Sequence, residues 1–278
     1  MGSVRLPDGH RVARLGQGTW RMGEDRERRG AEIDSLRLGI ELGMTLIDTA
    51  EMYGNGESER VVGEAIRDLR DRVTIVSKVL PGNASRAGIA ASCRNSLRRL
   101  GVDRLDVYLL HWRGGESLPE VVDAFETLRQ EELIRSWGVS NFDVDDMAEF
   151  AGLARFGSCV VNQVLYNLEH RGIEHDLLPY AREHGVTPMA YSPVGQGGAL
   201  LRAPALAAVA KRHGATPAQV AIAWTLRHGD VVSIPKSGDP AHVRENAAAA
   251  ALQLDEADLR TLDVAFPPPR GKQTLAML

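Results

Sequence analysis

The sequence is poor in cysteine and in long apolar runs. Its two cysteines among 278 residues, Cys93 and Cys159, lack CxxC spacing and a histidine-rich neighbourhood, so we expect a reduced protein without a metal site. No run approaches the ~20 apolar residues of a membrane span. The N-terminus, MGSVRLPDGHRVARLG, carries charge where a secretion signal needs an apolar core. These absences predict a cytoplasmic protein that does not associate with membranes.

The sequence also lacks a strong charge imbalance and a dinucleotide-binding glycine motif. Its net charge of −4 gives no global field that would attract nucleic acid. We therefore expect no binding of nucleic acid. No GxGxxG motif follows a predicted strand, so a Rossmann site is not indicated. Because nothing points to an obligate apolar interface, we also expect a monomer.

Short apolar runs alternate with amphipathic stretches along the chain. The amphipathic stretches include residues 59–70, 91–100, 118–130 and 216–228, and the apolar runs are residues 44–47, 73–77, 105–110, 134–139, 159–164, 186–191 and 231–235. Apolar runs without clean alternation are typical of strands buried on both faces, and strands that alternate with helices predict βαβ units. No linker divides the chain. Residues 1–278 are therefore predicted to form one domain, a (β/α)8 (TIM) barrel.

Additional elements are predicted outside the eight repeats. Residues 4–6 and 11–13 flank an Asp-Gly turn, which predicts an N-terminal β-hairpin. The last strand follows an insertion, and residues 255–265 have helical character ahead of a proline-rich tail. We expect two helices beyond the eight of the barrel.

Polar or aromatic residues follow most of the predicted strands. They are Asp48, Lys78, His111, Ser140, Asn141, Gln163, Tyr191, Ser192, Lys236 and Ser237. Barrel enzymes carry their catalytic groups at the carboxyl ends of the strands. Loops are polar in any protein, which could account for one or two of these residues but not for the whole set. The pattern predicts a functional site at this end of the barrel.

Eight segments at these strand ends resemble the aldo-keto reductase family. They are LGQGTWR (15–21), LIDTAEMYGNGESE (46–59), SKV (77–79), LLHW (109–112), GVSNF (138–142), NQVLYN (162–167), YSPVGQGG (191–198) and IPKSGDPAHVREN (234–246). Their order and spacing carry the resemblance, since no single motif decides it. The tail PPPRGKQTLAML is similar to that of bacterial members that reduce methylglyoxal. The resemblance implies an NADP(H)-dependent oxidoreductase that reduces small carbonyl compounds.

The resemblance also implies a catalytic tetrad of Asp48, Tyr53, Lys78 and His111. Reduction of a carbonyl needs a proton at oxygen, and a free phenol with a pKa of ~10 is a weak acid at neutral pH. Lys78 is expected to lower the pKa of Tyr53, with Asp48 holding Lys78 in place. A neutral His111 would donate a hydrogen bond to the carbonyl oxygen. Taken singly, Asp48 could cap a helix, Tyr53 could anchor a loop and His111 could be structural.

By the same resemblance, NADP(H) extends across the barrel mouth, with Tyr191 stacked on the nicotinamide and Lys236 and Ser237 at the 2′-phosphate. The residues expected to contact it are Gly18, Thr19, Trp20, Asp48, Ser140, Asn141, Gln163, Tyr191, Ser192, Pro193, Gly195, Gln196, Ile234, Pro235, Lys236, Ser237, His242, Glu245 and Asn246. The glycine-rich loop 192–198 could place N–H groups at the pyrophosphate, or it could be an ordinary surface loop. His242 stands where the family pattern has arginine, so a bidentate phosphate contact is expected to be missing and selectivity against NADH to be weaker.

The substrate pocket is expected to be apolar and open. Its predicted residues are Trp20, Met22, Met52, Tyr53, Leu80, His111 and Trp112. Such a lining suits aldehydes and reactive dicarbonyls, and the short loop after His111 and the short tail favour a permissive site.

Two alternatives remain at this point. Some barrels of this family bind NADPH as regulatory or sensor subunits with little turnover, and a complete tetrad does not exclude that role. A barrel enzyme of other chemistry, such as isomerisation of a phosphate substrate, is less favoured because IPKS at 234–237 replaces a glycine-rich phosphate loop.

Overall fold

The computed structural model describes residues 1–153 and 158–278, which contain a hairpin and a barrel of parallel strands. The hairpin strands are β1 (Ser3–Arg5) and β2 (Arg11–Ala13). The barrel strands are β3 (Gln17–Gly18), β4 (Leu46–Asp48), β5 (Thr74–Val79), β6 (Leu105–Leu110), β7 (Ile134–Ser140), β8 (Cys159–Leu165), β9 (Thr187–Tyr191) and β10 (Val232–Ile234). Each barrel strand pairs in parallel with the next along the chain. The N–H groups of Gly16 and Gly18 donate to the carbonyls of Ser233 and Pro235 and close the barrel, which confirms the predicted fold.

Helices connect and cover the strands, and two of them are additions to the repeat. The helices are α1 (Arg29–Glu41), α2 (Glu57–Ile66), α3 (Arg86–Leu100), α4 (Leu118–Gln130), α5 (Val144–Ala151), α6 (Leu177–Glu183), α7 (Pro204–His213), α8 (Pro217–Thr225), α9 (Pro240–Ala248) and α10 (Glu256–Ala265). The additions are α7 and α10, which pack together. Arg212 and His213 of α7 contact Asp258 of α10, at 3.0 Å and 2.6 Å.

The hairpin closes the amino end of the barrel. Val4, Leu6 and Val12 pack with apolar residues of the strands in one buried cluster inside the barrel. The Asp8 carboxylate accepts a hydrogen bond from Ser136 of β7 at 2.5 Å. Because this end is filled, the carboxyl end is the one at which a site can open.

The first barrel strand is the only one that the apolar runs did not predict. It is two residues long, and Gly18 is half of it. A Cβ at Gly18 would lie 2.9 Å from the carbonyl oxygen of Ile234, so the barrel closes there through a close backbone approach that only glycine permits. Side-chain patterning carries no signal for such a strand.

The described part of the chain shows little that points to membranes or metals. Among these residues no helix has the length and apolarity to cross a bilayer, and no group of three or more His, Cys, Asp or Glu side chains is placed to hold a metal ion. Cys93 and Cys159 are free and buried, and burial raises the pKa of each thiol to about 12.

Two glycine-to-alanine substitutions should distinguish the effect of tight helix packing on the free energy of unfolding from the effect of helix propensity. A Cβ at Gly63 of α2 would lie 2.5 Å from the carbonyl oxygen of Leu100 in α3, so we expect Gly63→Ala to destabilise the protein by about 1–3 kcal/mol. Gly30 of α1 has nothing within 4 Å of such a Cβ, and Gly30→Ala should be neutral or stabilising by up to ~1 kcal/mol. Urea unfolding checks both, and equal effects of the two substitutions would contradict the packing assignment.

Candidate active site

The four predicted tetrad residues come from three neighbouring strands and meet at the carboxyl end of the barrel. Asp48 ends β4, Lys78 lies near the end of β5, and His111 follows β6. Tyr53 lies in a short 3-10 turn between β4 and α2. Parallel pairing of β4, β5 and β6 brings these strand ends to one edge.

Lys78 is a fully buried cation held by the segment that contains Asp48. Its Nζ lies 2.8 Å from both carboxylate oxygens of Asp48 and donates to the carbonyl of Thr49 at 2.8 Å. Burial favours the neutral amine, but Asp48 and Tyr53 outweigh it and raise the pKa of Lys78. The side chain therefore remains an ammonium at neutral pH.

The Tyr53 hydroxyl lies 3.3 Å from Lys78 Nζ, the contact that the tetrad requires. The pKa of Tyr53 is nevertheless raised, because burial outweighs the lowering effect of Lys78 and Asp48 adds to the rise. The sequence-based expectation of a lowered pKa is thus reversed by desolvation, which the sequence does not display. Tyr53 is a protonated phenol at neutral pH, the form that can donate a proton.

His111 is a neutral imidazole beside Tyr53. The two ring centroids are 5.8 Å apart. Burial, and then the charge of Lys78, lower the pKa of His111 to about 2. Its Nδ1 has no hydrogen-bond partner among the described residues.

Residues predicted to hold a nicotinamide lie directly next to the tetrad. Gln163 Nε2 donates to Asp48 Oδ1 at 2.7 Å, a contact that the sequence did not suggest. Ser140 donates to the carbonyl of Gln163 at 2.9 Å. Asn141, in a left-handed conformation, accepts from the Tyr191 hydroxyl at 2.9 Å and donates to the carbonyl of His111 at 3.2 Å. One hydrogen-bonded group therefore joins these residues to the acid–base centre.

The predicted phosphate-binding residues lie further along the same rim. Lys236 follows β10 and is paired across the barrel closure with Gly18. Ser237 accepts from the N–H of Asp239 at 3.1 Å. His242 is largely exposed, with Nδ1 4.0 Å from Asp239.

Other predicted cofactor residues are more enclosed. Ile234, Pro235 and Asn246 are buried, and Glu245 accepts from the Thr216 hydroxyl at 3.3 Å.

The loop after β9 is a compact turn. Ser192, Gly195 and Gln196 adopt left-handed conformations, and Pro193 is buried. The N–H of Gly195 donates to Ser192, at 3.1 Å, so this donor is already engaged inside the loop.

Two of the predicted contact residues are fully buried. Met22 has no exposed surface and belongs to the main apolar core, so it cannot line a substrate pocket. Thr19 is also fully buried, and its hydroxyl donates to the carbonyl of Asp48 at 2.9 Å and accepts from Ser58 at 2.8 Å. Both follow the short strand β3, where the chain turns inward before it reaches α1.

Most of the other predicted pocket residues are close neighbours of tetrad residues in the chain. Trp20 and Met52 are exposed at the rim, at 39% and 40% of their surface. Trp112 lies 5.0 Å from His111 between ring centroids. Leu80 is half-buried, and its N–H donates to Glu51 Oε1 at 2.7 Å, a tether that the sequence did not reveal.

The C-terminal tail folds back over this end of the barrel. The main chain of Leu278 lies close enough to the Tyr191 hydroxyl to lower its pKa, although burial outweighs this effect and raises the pKa to about 12. Lys272 lies 3.8, 3.5 and 3.8 Å from the carboxylates of Asp143, Asp145 and Asp176. The tail therefore lies against a residue that is predicted to hold the nicotinamide.

Comparison with known proteins identifies the family. The aldo/keto reductase family model matches residues 14–265. The chain belongs to the aldo/keto reductase family. It is 48% identical over 281 aligned residues to methylglyoxal reductase YeaE of Escherichia coli, covering 100% of this chain and 97% of that protein.

Solved structures show the same likeness. An aldo-keto reductase from Klebsiella pneumoniae in complex with NADPH is 47% identical, with a TM-score of 0.98 and coverage of 100% of this chain and 99% of that one. The Klebsiella pneumoniae aldo/keto reductase in complex with NADP and acetate has a TM-score of 0.97 at 47% identity, covering 99% of both chains.

The buried neutral state of His111 predicts a pH dependence of stability. An unfolded histidine has a pKa near 6.5, whereas folding lowers that of His111 to about 2. The unfolded state therefore binds the proton first, and stability falls as the pH drops below about 6.5. At pH 5 this group alone should cost about 2 kcal/mol. Urea unfolding at pH 7 and 5 should show a correspondingly smaller fall for His111→Gln, and an identical fall in both proteins would show that His111 titrates normally.

Proposed function

We propose that this aldo/keto reductase uses NADPH to reduce aldehydes and reactive dicarbonyls such as methylglyoxal to alcohols, with Tyr53 as the proton donor. The observation that carries the proposal is the contact between a protonated Tyr53 and the buried ammonium of Lys78 at 3.3 Å. Such a pair can release a proton and then stabilise the phenolate that remains.

The residues at the rim fit a nicotinamide dinucleotide. The half-exposed ring of Tyr191 offers a flat surface for nicotinamide, with the amide of Asn141 hydrogen-bonded to its hydroxyl. Lys236, which follows the neighbouring strand β10, offers a cation on the same rim. NADPH supplies the hydride that forms the new C–H bond at the carbonyl carbon.

The tetrad residues supply the other half of the reduction. His111, as a neutral donor, orients the carbonyl oxygen toward Tyr53. The Tyr53 hydroxyl gives its proton to that oxygen as the C=O double bond becomes a single bond. Lys78 stabilises the phenolate, and Asp48 keeps Lys78 from moving toward the substrate.

The choice of substrate class follows from the mouth of the site. Trp20, Met52 and Trp112 give it apolar walls around one polar centre, which suits small aldehydes and dicarbonyls. The likeness to a methylglyoxal reductase supports the same class.

A tyrosine substitution tests this proposal. We expect purified protein to oxidise NADPH with methylglyoxal or 4-nitrobenzaldehyde, and Tyr53→Phe to lower kcat by ~10²–10⁴-fold because the proton donor is lost. Nicotinamide absorbance follows the reaction. Tyr180→Phe makes the same chemical change on α6, away from the tetrad, and should retain the wild-type rate.

Two results would count against the proposal. Full activity of Tyr53→Phe would remove Tyr53 from its role. NADPH binding by the wild type without turnover of either carbonyl would instead favour a regulatory nucleotide-binding subunit.

A further inference from the structure

The connection between β3 and α1, residues 19–28, contains arginines that form no ion pair with a carboxylate of the described residues. Within residues 1–153 and 158–278, Arg21 and Arg28 form no ion pair, and both are exposed. By contrast, the next residue, Arg29, pairs with Glu57 and Glu64 at 3.3 and 2.7 Å. The connection has as many acidic residues as arginines and so no net charge, but it offers two unpaired guanidinium groups beside the rim.

Arg28 lies against the turn that follows Lys236. Its Nη2 would be 3.6 Å from a Cβ built on Gly238, which places the guanidinium beside the backbone two residues after Lys236. The pKa of Lys236 is lowered by burial and further by the charges of Arg28 and Arg21, while Glu32 opposes the change. Three cations thus lie at the predicted phosphate end of the site, together with the carboxylates of Glu32 and Glu24.

A buried glutamate fixes this geometry. Glu32 of α1 accepts a hydrogen bond from the N–H of Gly23 at 2.9 Å. On its other side, its Cγ would be 3.3 Å from a Cβ on Gly238. Since one side chain contacts both segments, the arginine-bearing connection is held next to the Lys236–Gly238 turn.

The helix that could have supplied a guanidinium does not do so. His242 of α9 is 66% exposed at its side chain, and its nearest carboxylate is that of Asp239 at 4.0 Å. Arg244 is exposed two residues further on, and therefore points away from the face of His242.

We propose that Arg28, together with Lys236, binds the 2′-phosphate of NADPH and supplies from the β3–α1 connection the guanidinium that is missing from the face of α9 that carries His242. The inference rests on the proposed use of NADPH. A planar guanidinium can aim two parallel N–H groups at two phosphate oxygens, whereas a lysine ammonium acts as a point charge without that fixed geometry. Arg21, stacked 4.4 Å above the Trp20 ring, adds positive potential at the same rim. The protein is then selective for NADPH in spite of His242.

Binding of adenosine 2′,5′-bisphosphate and adenosine 5′-monophosphate by calorimetry tests the inference without turnover. We expect Arg28→Gln to weaken the bisphosphate by ~10–100-fold, the loss of a charge-assisted contact, and to leave the monophosphate unchanged. Arg28→Lys should recover part of the loss. The control is Arg26→Gln, which removes the same charge from the same 3-10 turn and should have little effect.

The outcomes separate this inference from the proposed function. Equal binding of the bisphosphate by wild type and Arg28→Gln overturns it, as does an equal loss in Arg26→Gln, which would indicate a diffuse field. Absence of bisphosphate binding by the wild type would overturn both the inference and the use of NADPH. Failure of carbonyl reduction with selective loss of bisphosphate binding in Arg28→Gln would contradict only the proposed function.

Discussion

The arrangement of the barrel mouth depends on one buried ion pair. Transfer of an isolated ammonium into a protein interior costs several kcal/mol, so Lys78 requires partners on every donor. Asp48 and the carbonyl of Thr49 provide them from the end of the neighbouring strand. A shift in the register of β4 on β5 would therefore leave the Lys78 ammonium among apolar side chains without its partners. Because Tyr53 follows Asp48 after one short turn, the same constraint sets the position of its hydroxyl.

Burial gives neighbouring titratable groups different protonation states. His111 loses water and gains no partner for its charged form, and for Tyr53 burial outweighs the effect of Lys78, so both remain neutral. Lys78 is also buried, but its ion pair with Asp48 outweighs the loss of hydration, and it remains charged. A neutral donor, a protonated phenol and a fixed cation thus lie side by side at neutral pH. The hairpin fills the amino end of the barrel and excludes solvent from that side of the centre. At the carboxyl end, the tail lies against Tyr191.

The sequence predicts the site well where function depends on strand ends, and less well where it depends on distant packing. Polar residues after buried runs locate the tetrad, because parallel strands bring their carboxyl ends together. The two-residue strand β3 has no apolar pattern, so the inward turn that buries Met22 and Thr19 is not visible in the sequence. The bond from Gln163 to Asp48 and the contact of Leu278 with Tyr191 join residues far apart in the chain. Only the closed barrel brings them together.

The central claim is that the Lys78–Asp48 pair serves proton transfer and not stability. The most direct measurement compares the double substitution Asp48→Leu, Lys78→Met with the wild type, in urea unfolding and in the rate of carbonyl reduction. Replacing a buried ion pair by well-packed hydrophobic residues of similar volume is often neutral or stabilising by about 1–4 kcal/mol. The account predicts an unfolding free energy at or above that of the wild type, with kcat lowered by ~10²-fold or more. A destabilised variant that retained most of its rate would contradict it.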